Sequence, residues 1–233
     1  MVGATSGGLG DIVYAIPIMH KLGITKLYVK ESYYFPPYGN LYTTVKALLE
    51  CNGIEAIPTS GAYPPYIFDP TIKFDYNLDN SRRQPKRGSN HIIISYLNEF
   101  GLSDDDWRSP WLKVEGEGEL HGNYYLIHRT SRWRRFSTVD WVKVLESVPC
   151  NPIFIGFEDE YLAFCKETGS DIMYYPTRDI LHMAQLIKKC KALYCNQSVS
   201  LTIAQGLGKE YYLDRNVPKT NCVMYTPNEH LLL

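Results

Sequence analysis

Apolar residues recur along this chain in two alternating rhythms, short continuous runs and helical spacing. A brief apolar start at residues 1–5 leads into a glycine-rich turn, Ser6-Gly7-Gly8-Leu9-Gly10. From Asp11 onward the apolar positions Ile12, Ala15, Ile16, Met19 and Leu22 follow a helical period, and Gly23 supplies the C-terminal stop. Pro17 falls inside that pattern and predicts a kink or a later effective start. A strand at 26–30, a helix at 43–51 closed by Asn52-Gly53, strands at 54–58 and 73–78 and a helix at 91–100 continue the series. After residue 122 the alternation restarts. Strands are expected at 124–128, 152–156, 171–174, 192–195 and 210–213, with helices at 139–148, 158–168, 180–189 and 201–207. Apolar strands without polar alternation suit parallel sheets covered on both faces. The expected fold class is α/β, with two Rossmann-like domains whose parallel sheets face a cleft.

Between residues 101 and 122 the pattern lapses. Asp104-Asp105-Asp106, Trp107, Pro110, Trp111 and the run at 115–118 read as a connector, which places a domain boundary near 113–122 and divides the chain into 1–116 and 117–233. Ser103 before three acids reads as a helix N-cap rather than a metal-binding D-x-D.

Composition narrows the function classes. The 24 Lys plus Arg against 25 Asp plus Glu give a net charge of -1, which excludes an overall basic field for nucleic acid. The 45% hydrophobic and 21% charged fractions are those of a globular chain, not a disordered one. No apolar run approaches a membrane span, and the N-terminus lacks the basic-then-apolar layout of a signal peptide, so a soluble, cytoplasmic protein is expected. The six cysteines form no C-x-x-C pair and the six histidines no H-x-x-x-H, so neither a disulfide framework nor a metal site is expected. Cys150 and Cys195 read as buried thiols.

Three segments can carry chemistry. In the first, Gly7, Gly8 and Gly10 between a strand and a helix allow close backbone approach to a ligand. Asp11 there is either a first-turn helix acid or a carboxylate held at the cleft mouth as a general base. The second segment is Arg129, Thr130, Ser131, Arg132, Trp133, Arg134 and Arg135, which follows a strand and so lies at the carboxyl edge of its sheet. Its arginines suit phosphate, the plain alternative being a solvated basic loop. The third is Asn196-Gln197-Ser198-Val199-Ser200, between a strand and a helix. Ser198 and Ser200 either cap that helix or belong to an anion site at its N-terminus. Two further loops, the aromatic 33–38 and the basic 82–87, read as packing or solvated surface, with a sugar, base or anionic acceptor as the other use of each.

Together GLGDIVYAIP, RWRRFSTVDW and the segment 179–209 resemble glycosyltransferase family nine, the ADP-heptose lipopolysaccharide heptosyltransferases and their relatives of GT-B fold. The resemblance implies that Asp11 is the catalytic base and that Arg134, with Arg135 beside it, serves the donor phosphate. It further implies that Asn196, Gln197 and Ser198 occupy the family's donor motif before a helix ending in Leu207-Gly208. Gln197 stands where the family has Asp, Val199 where it has Gly, and Thr202 where it has His. The chain is also shorter than a typical member, so the resemblance leads one to expect a reduced or virus-like version of the fold. The function implied is metal-independent, cofactor-free, inverting transfer of a sugar from a nucleotide-diphosphate sugar to an acceptor hydroxyl of a glycan or lipid-linked glycan. The alternatives are a non-catalytic nucleotide or nucleotide-sugar binder and a transferase acting on modified nucleic-acid bases.

Overall fold

The computed structural model describes residues 1–5, 8–31, 34–35, 39–59, 71–79, 91–116, 118–131, 137–215 and 222–232. Its first part runs β1 (Val2–Thr5), α1 (Leu9–Lys21), β2 (Lys26–Lys30), a small hairpin β3 (Tyr34–Phe35) and β4 (Gly39–Asn40), α2 (Leu41–Cys51), β5 (Glu55–Thr59), β6 (Tyr76–Asn77) and α3 (Ile92–Glu99). Its second part runs β7 (Tyr125–His128), α4 (Trp141–Ser147), β8 (Pro152–Gly156), α5 (Glu158–Thr168), β9 (Met173–Pro176), α6 (Ile180–Lys189), β10 (Leu193–Asn196), α7 (Val199–Leu207), β11 (Tyr211–Asp214) and β12 (Glu229–Leu231).

Two separate sheets result. The first has the order β5-β2-β1-β6 and the second β12-β11-β10-β7-β8-β9. Among the described residues every strand pair in both sheets is parallel, and the β3–β4 hairpin is antiparallel. Counted from β7, the second sheet has the doubly wound order 3-2-1-4-5-6 reversed in direction, so its winding switches between β7 and β10. In the first sheet the switch lies between β1 and β6. Ligands of open parallel sheets bind at the carboxyl ends of strands flanking such a switch.

Helices from the two halves pack on one another, α1 on α7, α2 on α6. Because α1 packs against α2, α3 and α7, it is apolar nearly all round, with Ile12, Val13, Tyr14, Ala15, Ile16, Ile18 and Met19 buried. It runs through Pro17 without ending there. One apolar core therefore continues across both halves, from Ile12 and Leu27 to Leu186, Leu201 and Leu213. A second, smaller core of Ile127, Trp141, Phe154 and Phe164 fills the opposite face of the second sheet, beneath α4 and α5.

The connector crosses between the halves without regular structure. The Trp111 and Leu112 N–H groups both donate to the Gly206 carbonyl at 2.8 Å. A Cβ on Gly206 would stand 2.9 Å from the Leu112 Cβ, so only glycine lets the connector pass this closely over α7. Residues 105–108 form a turn with Asp106 at φ 61°, not the helix start that Ser103 suggests. Ser103 instead hydrogen-bonds Asp105, closing a local turn. Cys195 is buried as expected, whereas Cys150 is exposed, because it sits in the loop between α4 and β8.

Candidate functional site

The first turns of α1 and α7, the helices that follow β1 and β10, lie side by side. Each strand delivers its chain at the carboxyl edge of its sheet, and the helix that follows starts there, so α1 and α7 point their N-termini into a shared region. The approach is close. A Cβ added at Gly10 would lie 3.3 Å from Thr202 Oγ1 and 3.9 Å from the Val199 Cα. One turn further in, the Tyr14 hydroxyl donates to Gln205 Oε1 at 2.6 Å in a fully buried contact between the helices.

The two helix starts differ in charge. The first turn of α1 carries Asp11, whose Oδ2 accepts the Gly8 N–H at 3.3 Å. Tyr96 on α3 braces the same turn, its hydroxyl donating to the Asp11 carbonyl at 3.3 Å. In α7 the first turn holds no acidic residue, and Ser198 at the N-cap makes no side-chain capping bond. The capping alternative for Ser198 is thus not realised. Within its own first turn the positive end of the α7 dipole meets no carboxylate.

Ser198 spends its hydroxyl elsewhere. Ser198 Oγ lies 3.0 Å and Ser200 Oγ 2.9 Å from His128 Nδ1, and the two hydroxyls are 2.9 Å apart. His128 is the last residue of β7, next to β10 at the winding switch. Burial alone pushes its imidazole down to about 4, so it is neutral at physiological pH. Nearby, Glu160 in the first turn of α5 is buried, and that burial pushes its carboxyl up to about 7. Its oxygens accept the Ser131 and Phe157 N–H groups at 3.3 and 3.4 Å. At Gly156 (φ 130°) the absent Cβ leaves room for both groups. A Cβ there would stand 3.2 Å from His128 Nε2 and from Glu160 Oε2.

The remaining expected residues are distributed as follows. Asn196 is buried and clasps the backbone of Thr130, accepting from its N–H at 3.0 Å and donating to its carbonyl at 2.9 Å. That clasp ties the end of β10 to the loop after β7. Gln197 is buried beside it. The Arg129 guanidinium is buried too, 2.5 Å from Glu167 and 3.8 Å from Asp214, above the Trp141 ring. Its charge is balanced by these two carboxylates on the α4–α5 side of the sheet. Gly7, Arg134 and Arg135 lie outside the described residues, as do the basic loop 82–87 and residues 33 and 36–38 of the aromatic loop. Sequence reasoning passed over His128 and Glu160. A signal for His128 existed, since it ends the strand whose following arginines were singled out for that reason. For Glu160 there was none, because a first-turn acid is ordinarily solvated.

Among the described residues no group of three His, Cys, Asp or Glu side chains could hold a metal ion, and no helix is long and apolar enough to cross a membrane.

No family model matches the chain, and no curated protein matches it in sequence. Its architecture does match. A glycosyl transferase family 9 protein from Veillonella parvula superposes with a TM-score of 0.62 at 10% identity, over 99% of this chain and 86% of that one. The fold is GT-B-like. E. coli ADP-heptose LPS heptosyltransferase II gives a TM-score of 0.57 at 13% identity, over 99% of this chain and 89% of its own. The dodecameric iron-containing heptosyltransferase TibC of enterotoxigenic E. coli, in complex with ADP-D-β-D-heptose, gives 0.62 at 14% identity. The chain covers 61% of TibC's length. At these identities the likeness is one of GT-B-like fold, with its two parallel sheets.

Proposed function

We propose that this protein is a metal-independent, inverting glycosyltransferase that moves a sugar from a nucleotide-diphosphate sugar to an acceptor hydroxyl. One observation carries the reading. The acid-bearing start of α1 faces the uncapped, acid-free start of α7 across the carboxyl edges of two parallel sheets. A transferase of this type needs a base on one side and a diphosphate site on the other, and the two helix starts supply that pairing.

In this mechanism residues 1–116 form the acceptor side and 117–233 the donor side. The diphosphate lies on the first-turn N–H groups of α7, with Arg134 as its expected cation. Asp11 takes the acceptor hydroxyl proton as that oxygen bonds to the anomeric carbon. The bond from that carbon to the diphosphate oxygen breaks at the same time, and the nucleoside diphosphate leaves with its electron pair. Attack opposite the leaving group inverts the anomeric centre. ADP-sugars are the first donors to try, given the ligand of TibC, and glycans or lipid-linked glycans the first acceptors.

The test is Asp11→Asn, assayed by mass spectrometry for sugar transfer and release from a panel of nucleotide sugars. Turnover should fall by about 10²–10⁴ while donor affinity holds, and wild-type turnover should survive EDTA. A folded Asp11→Asn protein of full activity would overturn the base assignment. Nucleotide binding without any transfer would favour a non-catalytic binder.

A further inference from the structure

We infer that His128 is a positioning residue, aligning a hydroxyl relay through Ser200 so that Ser198 donates a hydrogen bond to an anionic oxygen of the donor diphosphate. This rests on the donor-site reading above and adds to it the means by which the site acquires a side-chain donor.

The number of protons in the cluster decides the direction of its hydrogen bonds. His128 Nδ1, Ser200 Oγ and Ser198 Oγ form a triangle with sides of 2.9, 2.9 and 3.0 Å. Two hydroxyls bring two protons, and the neutral imidazole carries one more, on either nitrogen. If that proton sits on Nε2, Nδ1 is an acceptor with one lone pair. One serine then donates to Nδ1 and the other donates to the first serine. Both hydroxyl protons are consumed inside the triangle, and the cluster presents only lone pairs, which repel an anion. If the proton sits on Nδ1, the chain runs the other way. Nδ1–H donates to Ser200, Ser200 donates to Ser198, and the Ser198 proton is left over.

Exposure fixes which serine ends the chain. Ser200 is 0% exposed, whereas Ser198 is half-buried at the N-cap of α7. A spare proton on Ser200 would be directed into the core, while one on Ser198 meets whatever lies at the α7 first turn. An anion there selects the Nδ1–H tautomer and gains a donor without any charge being buried in its absence. Burial of the ring explains why a neutral relay serves here rather than an imidazolium. The same wiring accounts for the missing side-chain cap of α7, because the Ser198 hydroxyl points along the relay and not back to its own helix.

The experiment compares the wild type with His128→Asn, His128→Leu, Ser198→Ala and the Leu/Ala double variant. Isothermal titration with ADP, UDP, GDP and dTDP is used, following the tightest binder. His128→Leu and Ser198→Ala should each weaken nucleoside-diphosphate binding about 10- to 100-fold, the loss expected of one charge-assisted hydrogen bond. The double variant should be no weaker than either single one, since both break the same chain. His128→Asn, whose amide N–H reaches the Nδ1 position, should stay within about threefold of wild type. Additive losses, or an Asn variant as weak as Leu, would overturn the relay while leaving the donor site standing. A wild type that binds none of the four would overturn the donor-site reading and the relay with it. Should His128→Leu fail to fold, the ¹⁵N shifts of the His128 ring in the wild-type complex decide: a proton on Nδ1 upholds the relay, and one on Nε2 overturns it.

Discussion

Replacing Tyr14 by Phe removes one oxygen atom from the contact that ties the helix of Asp11 to the helix of Ser198. The Tyr14 hydroxyl donates to Gln205 Oε1 at 2.6 Å, and both residues are at most 3% exposed. Gln205 is otherwise committed, its amide donating to the Tyr211 hydroxyl at 3.1 Å and to the Cys222 carbonyl at 2.7 Å. It cannot turn its oxygen to a new donor without abandoning those partners. Tyr14→Phe therefore leaves a buried acceptor unpaired, at a cost of about 1–3 kcal/mol. The ring still fills its place against His91 and Trp111, so little packing is lost. For a chain of this size each kcal/mol moves the melting temperature by roughly 2–4 °C, and a loss near the middle of the range lowers it by about 4–8 °C. Urea denaturation should show a lower midpoint with an unchanged slope. Gln205→Leu should cost more, since it strips partners from Tyr14, Tyr211 and Cys222 together. The double variant should fall short of the sum by about 1 kcal/mol, the coupling expected of residues in direct contact. A Tyr14→Phe protein melting within about 1 °C of wild type would refute the idea that this bond holds the halves together.

Asp214 accepts from Ser137 Oγ at 2.6 Å and Trp141 Nε1 at 3.0 Å and faces Arg129. Asp214→Ala leaves Arg129 its Glu167 partner but strips the buried Trp141 N–H and the Ser137 hydroxyl of their acceptor, at a cost of about 1–3 kcal/mol, and a loss under about 0.5 kcal/mol in denaturant titration would contradict the network. His91 is pushed down to about 3 and His128 to about 4, both first by burial. Their folded values lie below the unfolded one, so the stability they contribute is full above about pH 6.5 and drains away as pH falls through 4 toward 3. Ring signals of either residue titrating near pH 6.5 in NMR would refute that burial. Glu160 is the opposite case, raised to about 7 by burial. Its contribution is present below about pH 4.5 and lost as pH rises through 7, so wild type should lose roughly 1–3 kcal/mol relative to Glu160→Gln between pH 5 and 8. Equal pH profiles for the two proteins would contradict it.

Several features of this molecule are local and can be read along the chain. Helices α5 and α6 and strands β2 and β8 have the bounds their apolar spacing predicts. The parallel sheets follow from strands without polar alternation, and the carboxyl-edge position of Asp11, of Ser198 and of the loop after β7 follows from strand–loop–helix order alone. Short elements escaped, namely the β3–β4 hairpin and the polar β12, because two or three residues carry no measurable period. Tertiary structure decided the rest. It brought α1 against α7, committed Arg129 to Glu167 and Asp214, drew Ser198 away from its own helix to His128, and raised the Glu160 carboxyl by burying it. The reason is physical. Apolar period is a property of neighbours in sequence, whereas the partner of a hydroxyl, a guanidinium or a carboxylate is chosen among groups that only folding brings within 3 Å. His128 and Ser198 are far apart along the chain, and winding two parallel strands side by side is what joined them.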